Sequence, residues 1–297
     1  MTVLVTGGTG FIGPKVVHAL RARELPVRAL VRERSRGRQL ESWGAELAQG
    51  DVTDPESLRR AVEGCEAVVH LVALMRGSKA EYERVMTQGT RDLVEAARGA
   101  GVRRFVLMSA LGVDERTKDV VPYYRAKWDM ERLVEGSGIE HVIFRPSFVF
   151  GRDGGALGLF VRLARWLPVT PIAGSGDQRI QPIWVEDVAE FFARSVDEPA
   201  AVNRTFEIGG PDAVDWNELY ARIKRTLGTR RPSVHLPMPV LRVQATLTDW
   251  FPKAPVSRDQ LKMLAAGDNT CDVRPALEVF KVPLVGLDEQ LRRAISR

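Results

Sequence analysis

The sequence is poor in the residues that staple or metallate small folds: its 297 residues include two cysteines, Cys65 and Cys271, and four histidines. The two thiols are far apart, and neither has a second cysteine or a histidine at metal-ligand spacing. A disulfide framework and a zinc site therefore lack support; buried free thiols and no metal are expected. Long hydrophobic runs are also missing. The nearest approach, Leu157 to Val169, is broken by Arg162 and Arg165, short of the ~18 apolar residues that a membrane helix needs. The first residues carry no charged-then-apolar leader pattern, so the expected compartment is the cytoplasm. There is no internal repeat and no low-complexity tract. Charge is nearly balanced at +5, with 44% hydrophobic and 27% charged residues, the composition of a folded chain rather than a disordered one. One local excess stands out. Arg21, Arg23, Arg28, Arg32, Arg34, Arg36 and Arg38 crowd together against only Glu24 and Glu33. That cluster suits a solvated helix and loop, or phosphate binding by one or two arginines, better than a nucleic-acid partner, and none is expected.

What the chain does contain is a regular alternation. Short apolar runs at Thr2 to Thr6, Pro26 to Val31, Ala45 to Gln49, Ala67 to Leu71, Arg103 to Met108 and His141 to Phe144 are separated by amphipathic segments. Runs rich in Val, Leu and Ile without polar alternation predict strands covered on both faces, so the fold class is α/β, a doubly wound parallel sheet. Glu81 to Gly101 reads as one long helix that stops at Gly99 or Gly101. After Arg145-Pro146 the regularity falls away among prolines. The expected division is a dinucleotide-binding domain over 1–150, rejoined by 178–208, with 151–177 and 209–297 forming a smaller, discontinuous lid.

The first strand runs into Thr6-Gly7-Gly8-Thr9-Gly10-Phe11-Ile12-Gly13, and helical spacing resumes at Val16. Strand, glycine turn and helix come in the order that a pyrophosphate site requires: tight turn, close backbone approach, and close packing of the helix on the strand, whose N-terminus then faces the anion. Gly7, Thr9, Gly10, Phe11, Ile12 and Gly13 are the cofactor-binding candidates of this loop. The second strand ends in Arg32, whose planar donor fork suits a 2′-phosphate; Arg34 and Arg36 could assist it, and Glu33 competes as a ribose acceptor. The reading favours NADP(H), with NAD(H) as the alternative. Asp51 and Val52, after the third strand, fall beside the adenine position, and Asp51 is equally readable as a turn residue ahead of Pro55.

Tyr123 and Lys127, four residues apart in Tyr123-Tyr124-Arg125-Ala126-Lys127, share one face of a predicted helix. An ammonium beside a phenol lowers the phenol pKa and makes it a usable acid or base. With the glycine loop these residues resemble the short-chain dehydrogenase/reductase superfamily, in its extended and atypical branches. The resemblance also runs through His70-Leu71-Val72-Ala73, Gly89-Thr90, Arg145-Pro146-Ser147 and Pro182 to Asp187. Arg145 to Gly151, Gly209-Gly210-Pro211 and Ser257 to Leu261 look most like the NDUFA9-like complex I accessory subunit group. The resemblance implies that Tyr123 handles the substrate proton and that Lys127 holds the nicotinamide ribose. It further implies that Leu71 and Ala73 flank the cofactor, that Pro146 and Ser147 line the nicotinamide pocket, and that Ser109 is the candidate substrate-polarising hydroxyl. Two positions depart from the family pattern: Ala110 follows Ser109 where a second hydroxyl is usual, and Met86 stands where a helix asparagine organises a proton relay.

The expected function is an NADP(H)-dependent oxidoreductase acting on a carbonyl or alcohol, with a small-molecule or quinone-like substrate. The alternative is a non-catalytic NADPH-binding accessory or assembly protein of the NDUFA9-like type, with a respiratory-complex partner or peripheral contact at the inner membrane face. A nucleotide-sugar epimerase ranks lower, since the lid carries no clear diphosphate-sugar signature. His70 is expected to be structural. Trp166, Trp184, Trp216 and Trp250 are expected mainly to pack, and Leu236 to Phe251 to form an amphipathic lid helix.

Overall fold

The computed structural model describes residues 1–248 and 257–295. The apolar runs become β1 (Val3–Thr6), β2 (Val27–Val31), β3 (Glu46–Gln49), β4 (Ala67–His70), β5 (Arg104–Met108) and β6 (Glu140–Pro146), joined late in the chain by β7 (Arg204–Ile208). They form one parallel sheet in the order β7-β6-β5-β4-β1-β2-β3. Every residue of β1 and β4 is buried, as strands covered by helices on both faces must be.

Alternation sorts the strand side chains between two layers. Leu4, Val68, Phe105 and Ile143 pack with Leu58, Leu93 and Met130 from helices Pro55–Val62, Gly89–Gly99 and Pro122–Glu135. On the other face lie helices Gly13–Ala22 and Val185–Ser195. There Phe144 of β6 meets Phe192 at 4.8 Å and Phe280 at 5.4 Å between ring centroids.

Contacts divide the chain into two compact units. The first comprises Met1–Pro146, Val185–Ile208 and Asp272–Pro283; the second comprises Ser147–Trp184, Gly209–Cys271 and Leu284–Arg297. The sequence-based division therefore shifts at three places: residues 147–150, expected in the first domain, belong to the second unit. Residues 178–184 fall in the second unit, because Arg179–Ile180 pairs with Val214–Asp215 and Ile183–Trp184 with Val149–Phe150. Residues 272–283, expected in the lid, return to the first unit, because Phe280 fills the aromatic cluster around Phe144, Phe191 and Phe206.

The expected helix at Glu81–Gly101 is also not uniform. A Ser78/Glu81 capping box starts it, Tyr82–Gln88 is wound as a π-helix, and only Gly89–Gly99 is regular α-helix. A 3.6-residue period cannot reveal such a segment, whose turns hold more residues. Gly101, at φ +72°, ends the run.

The second unit has its own core of Phe150, Leu157, Ile172, Trp184, Trp216, Leu219 and Leu291 among others. Trp184 and Trp216 thus pack as expected, whereas Trp166 is 74% exposed. Of the expected helix at Leu236 to Phe251, Met238–Thr248 is helical, and Trp250 and Phe251 lie outside the described residues. Cys65 is buried, but Cys271 is half-buried, and both are free thiols. Among the described residues no helix is long and apolar enough to cross a membrane, and no cluster of ligating side chains could hold a metal.

Candidate functional site

In a parallel sheet every strand ends at the same edge, and the chain order is read out there as geometry. Gly7 to Ile12 follow β1, Arg32 follows β2, Asp51 and Val52 follow β3, and Leu71 and Ala73 follow β4; Ser109 follows β5, and Pro146 is the last residue of β6. All belong to the first unit. The β1 and β4 neighbours mark the point where strand order reverses, so the glycine loop opens at the topological switch point.

The loop leaves β1 with Gly7 at φ +77°, a conformation that an L side chain resists. It closes on itself when the Gly10 N–H donates to the Gly7 carbonyl at 3.0 Å. Gly13 is held by a different constraint: a Cβ there would stand 2.3 Å from the Gly7 carbonyl oxygen and 2.5 Å from Gly8. The helix can therefore begin against the strand only with glycine at this position. Its first turn places Pro14 next to Gly13, where the lost N–H is one that the helix would leave unpaired. Thr9 and Gly10 are exposed, and Phe11 and Ile12 are half-buried. Backbone N–H groups at an accessible helix start form a site for an anion.

The charged residues after β2 separate clearly. Glu33, the competing acid, is engaged by Arg36 at 3.5 Å. Arg34 donates to the Leu47 carbonyl at 3.3 Å and pairs with Glu41 at 3.4 Å. The two expected helpers are thus committed elsewhere. Arg32 is exposed and has no partner among the described residues, and the same holds for Arg38, which sequence reasoning passed over within the arginine cluster. After β3, Asp51 accepts from the Thr53 N–H and hydroxyl at 2.9 Å each. The helix at Pro55 is capped instead by Asp54, which accepts from the Glu56 N–H at 3.1 Å.

Helix Pro122–Glu135 starts with proline in its first turn and carries Tyr123 and Lys127 on one face, Lys127 Nζ lying 5.9 Å from the centre of the Tyr123 ring. Lys127 is fully buried. Its ammonium donates to the Met108 carbonyl at 2.6 Å, next to Ser109. Burial pushes the Lys127 pKa down to about 7, against a partial upward pull from Glu131. Tyr123 differs from the sequence expectation. Its phenol is held above the usual tyrosine range by burial and by neighbouring Tyr124 and Tyr82. The lysine at this separation does not offset that burial, so the phenol of the free protein is protonated at neutral pH. The Ser109 hydroxyl is buried without a hydrogen-bond partner, a state that natural cores seldom leave uncorrected. A pair that sequence spacing could not reveal completes the group: Arg145 clamps Glu131, which lies one turn beyond Lys127.

His70 lies behind the glycine loop. Its Nδ1 is 2.6 Å from the Thr6 hydroxyl and its Nε2 is 3.0 Å from the Thr90 hydroxyl. Thr90 spends its proton on the Met86 carbonyl at 2.6 Å, so Nε2 donates to Thr90 and Nδ1 accepts from Thr6. Burial, and then the charge of Lys127, hold the His70 pKa down at about 3. This is the structural histidine expected. Met86 is fully buried, and its sulfur faces the Leu74 N–H at 3.4 Å.

Comparison with known proteins places this geometry. A family described as NAD(P)H-binding matches residues 7–199, which span the glycine loop, Arg32, Ser109, Tyr123 and Lys127. The chain is 30% identical over 249 residues to the ceramide reductase of Caulobacter vibrioides, covering 83% of this chain and 77% of that protein. It is 28% identical over 305 residues to the mouse mitochondrial NADH dehydrogenase [ubiquinone] 1 alpha subcomplex subunit 9, covering 97% of this chain and 79% of that protein. The resemblance to the NDUFA9-like group is thereby borne out. The fold is shared with the NADPH-dependent quinone oxidoreductase QOR2 of Escherichia coli at a TM-score of 0.81 and 20% identity, covering 99% and 100% of the two chains. The glycine loop on β1, the parallel sheet and the family match lead to one conclusion: this chain belongs to the NAD(P)H-binding family.

Proposed function

We propose that the protein is a cytoplasmic NADP(H)-dependent oxidoreductase of the atypical short-chain dehydrogenase/reductase type, reducing a carbonyl or quinone-like substrate. The observation that carries this reading is the grouping at the end of β5: the unpartnered Ser109 hydroxyl, the Lys127 ammonium on the adjacent Met108 carbonyl, and the Tyr123 phenol on the same helix face. When bound, the nicotinamide supplies or accepts the hydride. The chain's own groups manage everything else. Gly7 to Gly13 bind the pyrophosphate and Arg32 the 2′-phosphate, with Leu71, Ala73 and Pro146 along the cofactor and Asp51 and Val52 toward the adenine. Lys127 has donors to spare beyond Met108 and holds the nicotinamide ribose. Ser109 donates to the substrate oxygen, and Tyr123 delivers the proton to it. The phenol is protonated in the free protein, the state from which a proton can be delivered to a substrate oxygen.

A second reading rests on Met86 and Ala110. Met86 cannot relay a proton, and the mouse relative is a subunit of a larger NADH dehydrogenase. Under that reading NADPH stabilises the fold without turnover. The two are separated by following NADPH oxidation with a panel of carbonyl and quinone substrates for the wild-type protein and Tyr123→Phe. Turnover that Tyr123→Phe reduces by about 100-fold or more, with NADPH affinity kept, supports the oxidoreductase. No turnover in the wild-type, with NADPH retained through purification, rejects it in favour of the accessory role.

A further inference from the structure

The second unit carries an outward ribbon face that is covered at Ala173 and Leu236 by the Leu241, Ala245 and Leu261 cluster and left uncovered at its other end. Strand Thr170–Ala173 pairs in parallel with strand Ser233–Leu236, Thr170 opposite Ser233 and Pro171 opposite Val234. Side chains alternate across such a ribbon. Thr170 and Ile172 are turned inward, 0% and 2% exposed. Pro171 and Val234 therefore face outward, together with Val169 and Pro232 one step earlier. Val169 and Val234 are 39% and 41% exposed, and at the approach to the ribbon Leu167 is 39% and Trp166 74% exposed. The approach is fixed in place, because the Arg231 guanidinium donates to the carbonyls of Arg165 and Leu167.

The two stretches that build this face carry charge of one sign. No Asp or Glu occurs between Asp153 and Asp177, or between Glu218 and Asp249, and these are the stretches that build it. They do contain Arg162, Arg225 and Arg230, all exposed. We propose that this face docks on an anionic lipid bilayer, with Trp166, Leu167, Val169 and Val234 entering the interfacial layer and the arginines meeting lipid phosphates. Tryptophan suits that layer with an apolar ring and a polar N–H, and arginine can lay its stem on the apolar surface while its head stays with phosphate. A second copy of the chain is the competing occupant, disfavoured because a two-fold contact would bring the arginines of this face toward those of its mate. The proposal is independent of whether the first unit turns over substrate.

The test is co-sedimentation of the full chain with phosphatidylcholine vesicles, with and without phosphatidylglycerol, at low and high salt. Binding is expected only with phosphatidylglycerol and should weaken with salt. Trp166→Ser with Val234→Ser should lower partitioning by about 10-fold or more, and so should Arg162→Glu with Arg230→Glu. Both double variants change exposed positions, and their unfolding midpoints should match the wild-type. Three results would overturn the proposal: wild-type protein that ignores phosphatidylglycerol vesicles, folded variants that bind them equally well, or a concentration-dependent dimer in light scattering that the same substitutions abolish.

Discussion

Arg145 holds the carboxylate of Glu131 in a fork, with Nε to Oε1 at 2.9 Å and Nη2 to Oε2 at 2.6 Å, and the Glu131 side chain has no exposed surface. The consequence reaches Lys127. Glu131 is four residues beyond it on helix Pro122–Glu135, the spacing at which a carboxylate and an ammonium attract. With both carboxylate oxygens bonded to Arg145, Lys127 donates to the Met108 carbonyl. The fork thus helps to leave the ammonium at the end of β5, beside Ser109.

Removing one partner of this pair should be costly. Arg145→Met leaves the buried Glu131 carboxylate with only the exposed Arg132 guanidinium at 3.6 Å, for a loss of about 3 kcal/mol in urea unfolding. Combining it with Glu131→Leu should restore most of that loss, since neither charge then remains. Additive losses in the double variant would show that the fork is not a coupled unit.

Arg32 should decide cofactor preference. It is exposed and has no partner among the described residues, while Glu33 is held by Arg36. Arg32→Ala should weaken NADPH by ~10–100-fold, the worth of a charge-assisted bond to phosphate, and leave NADH nearly unchanged in titration calorimetry. Arg38→Ala should act in the same direction with a smaller effect. Equal weakening of both nucleotides would remove Arg32 from the 2′-phosphate site.

These residues also mark what a sequence can disclose. β1 to β6 were legible because strands buried on both faces are continuous apolar runs, and the glycine loop because its residues are contiguous. Arg145 and Glu131 were not, because an ion pair between a strand and a helix leaves no periodic trace. Phe280 returns residues 272–283 to the first unit through a single aromatic side chain, too small a signal in a proline-rich half. The Tyr123–Lys127 spacing correctly placed both on one helix face. The phenol pKa went the other way because burial, which spacing does not encode, outweighs a lysine at that distance.

Lys127 makes stability depend on pH on the alkaline side. Its folded pKa is about 7, against 10.5 when unperturbed. Between those values the unfolded chain binds the extra proton, so stability rises with pH through that window and is flat in this respect below it. Lys127→Met should abolish that rise and stabilise the free protein at neutral pH by about 1–3 kcal/mol, net of the Met108 carbonyl left without its donor. Thermal unfolding of both proteins across the window measures this directly. A parallel pH dependence would mean that Lys127 keeps its proton when folded.

His70 gives the opposite limb. It is buried as the neutral tautomer that joins Thr6 to Thr90, with a folded pKa of about 3 against 6.5 when unperturbed. As pH falls through that interval the unfolded chain takes up a proton that the folded chain refuses. Stability should therefore drop by up to about 1.4 kcal/mol per pH unit from this group alone. His70→Gln can accept from Thr6 and donate to Thr90 without titrating, so its acid limb should be shallower than the wild-type by one proton's slope in urea unfolding. Thr6 immediately precedes Gly7, and Thr90 holds the carbonyl of Met86 within the π-helix. Acid should consequently release NADPH from the wild-type at a higher pH than from His70→Gln, because the wild-type unfolds, and gives up its glycine loop, at a higher pH. Coincident release curves would confine His70 to packing alone.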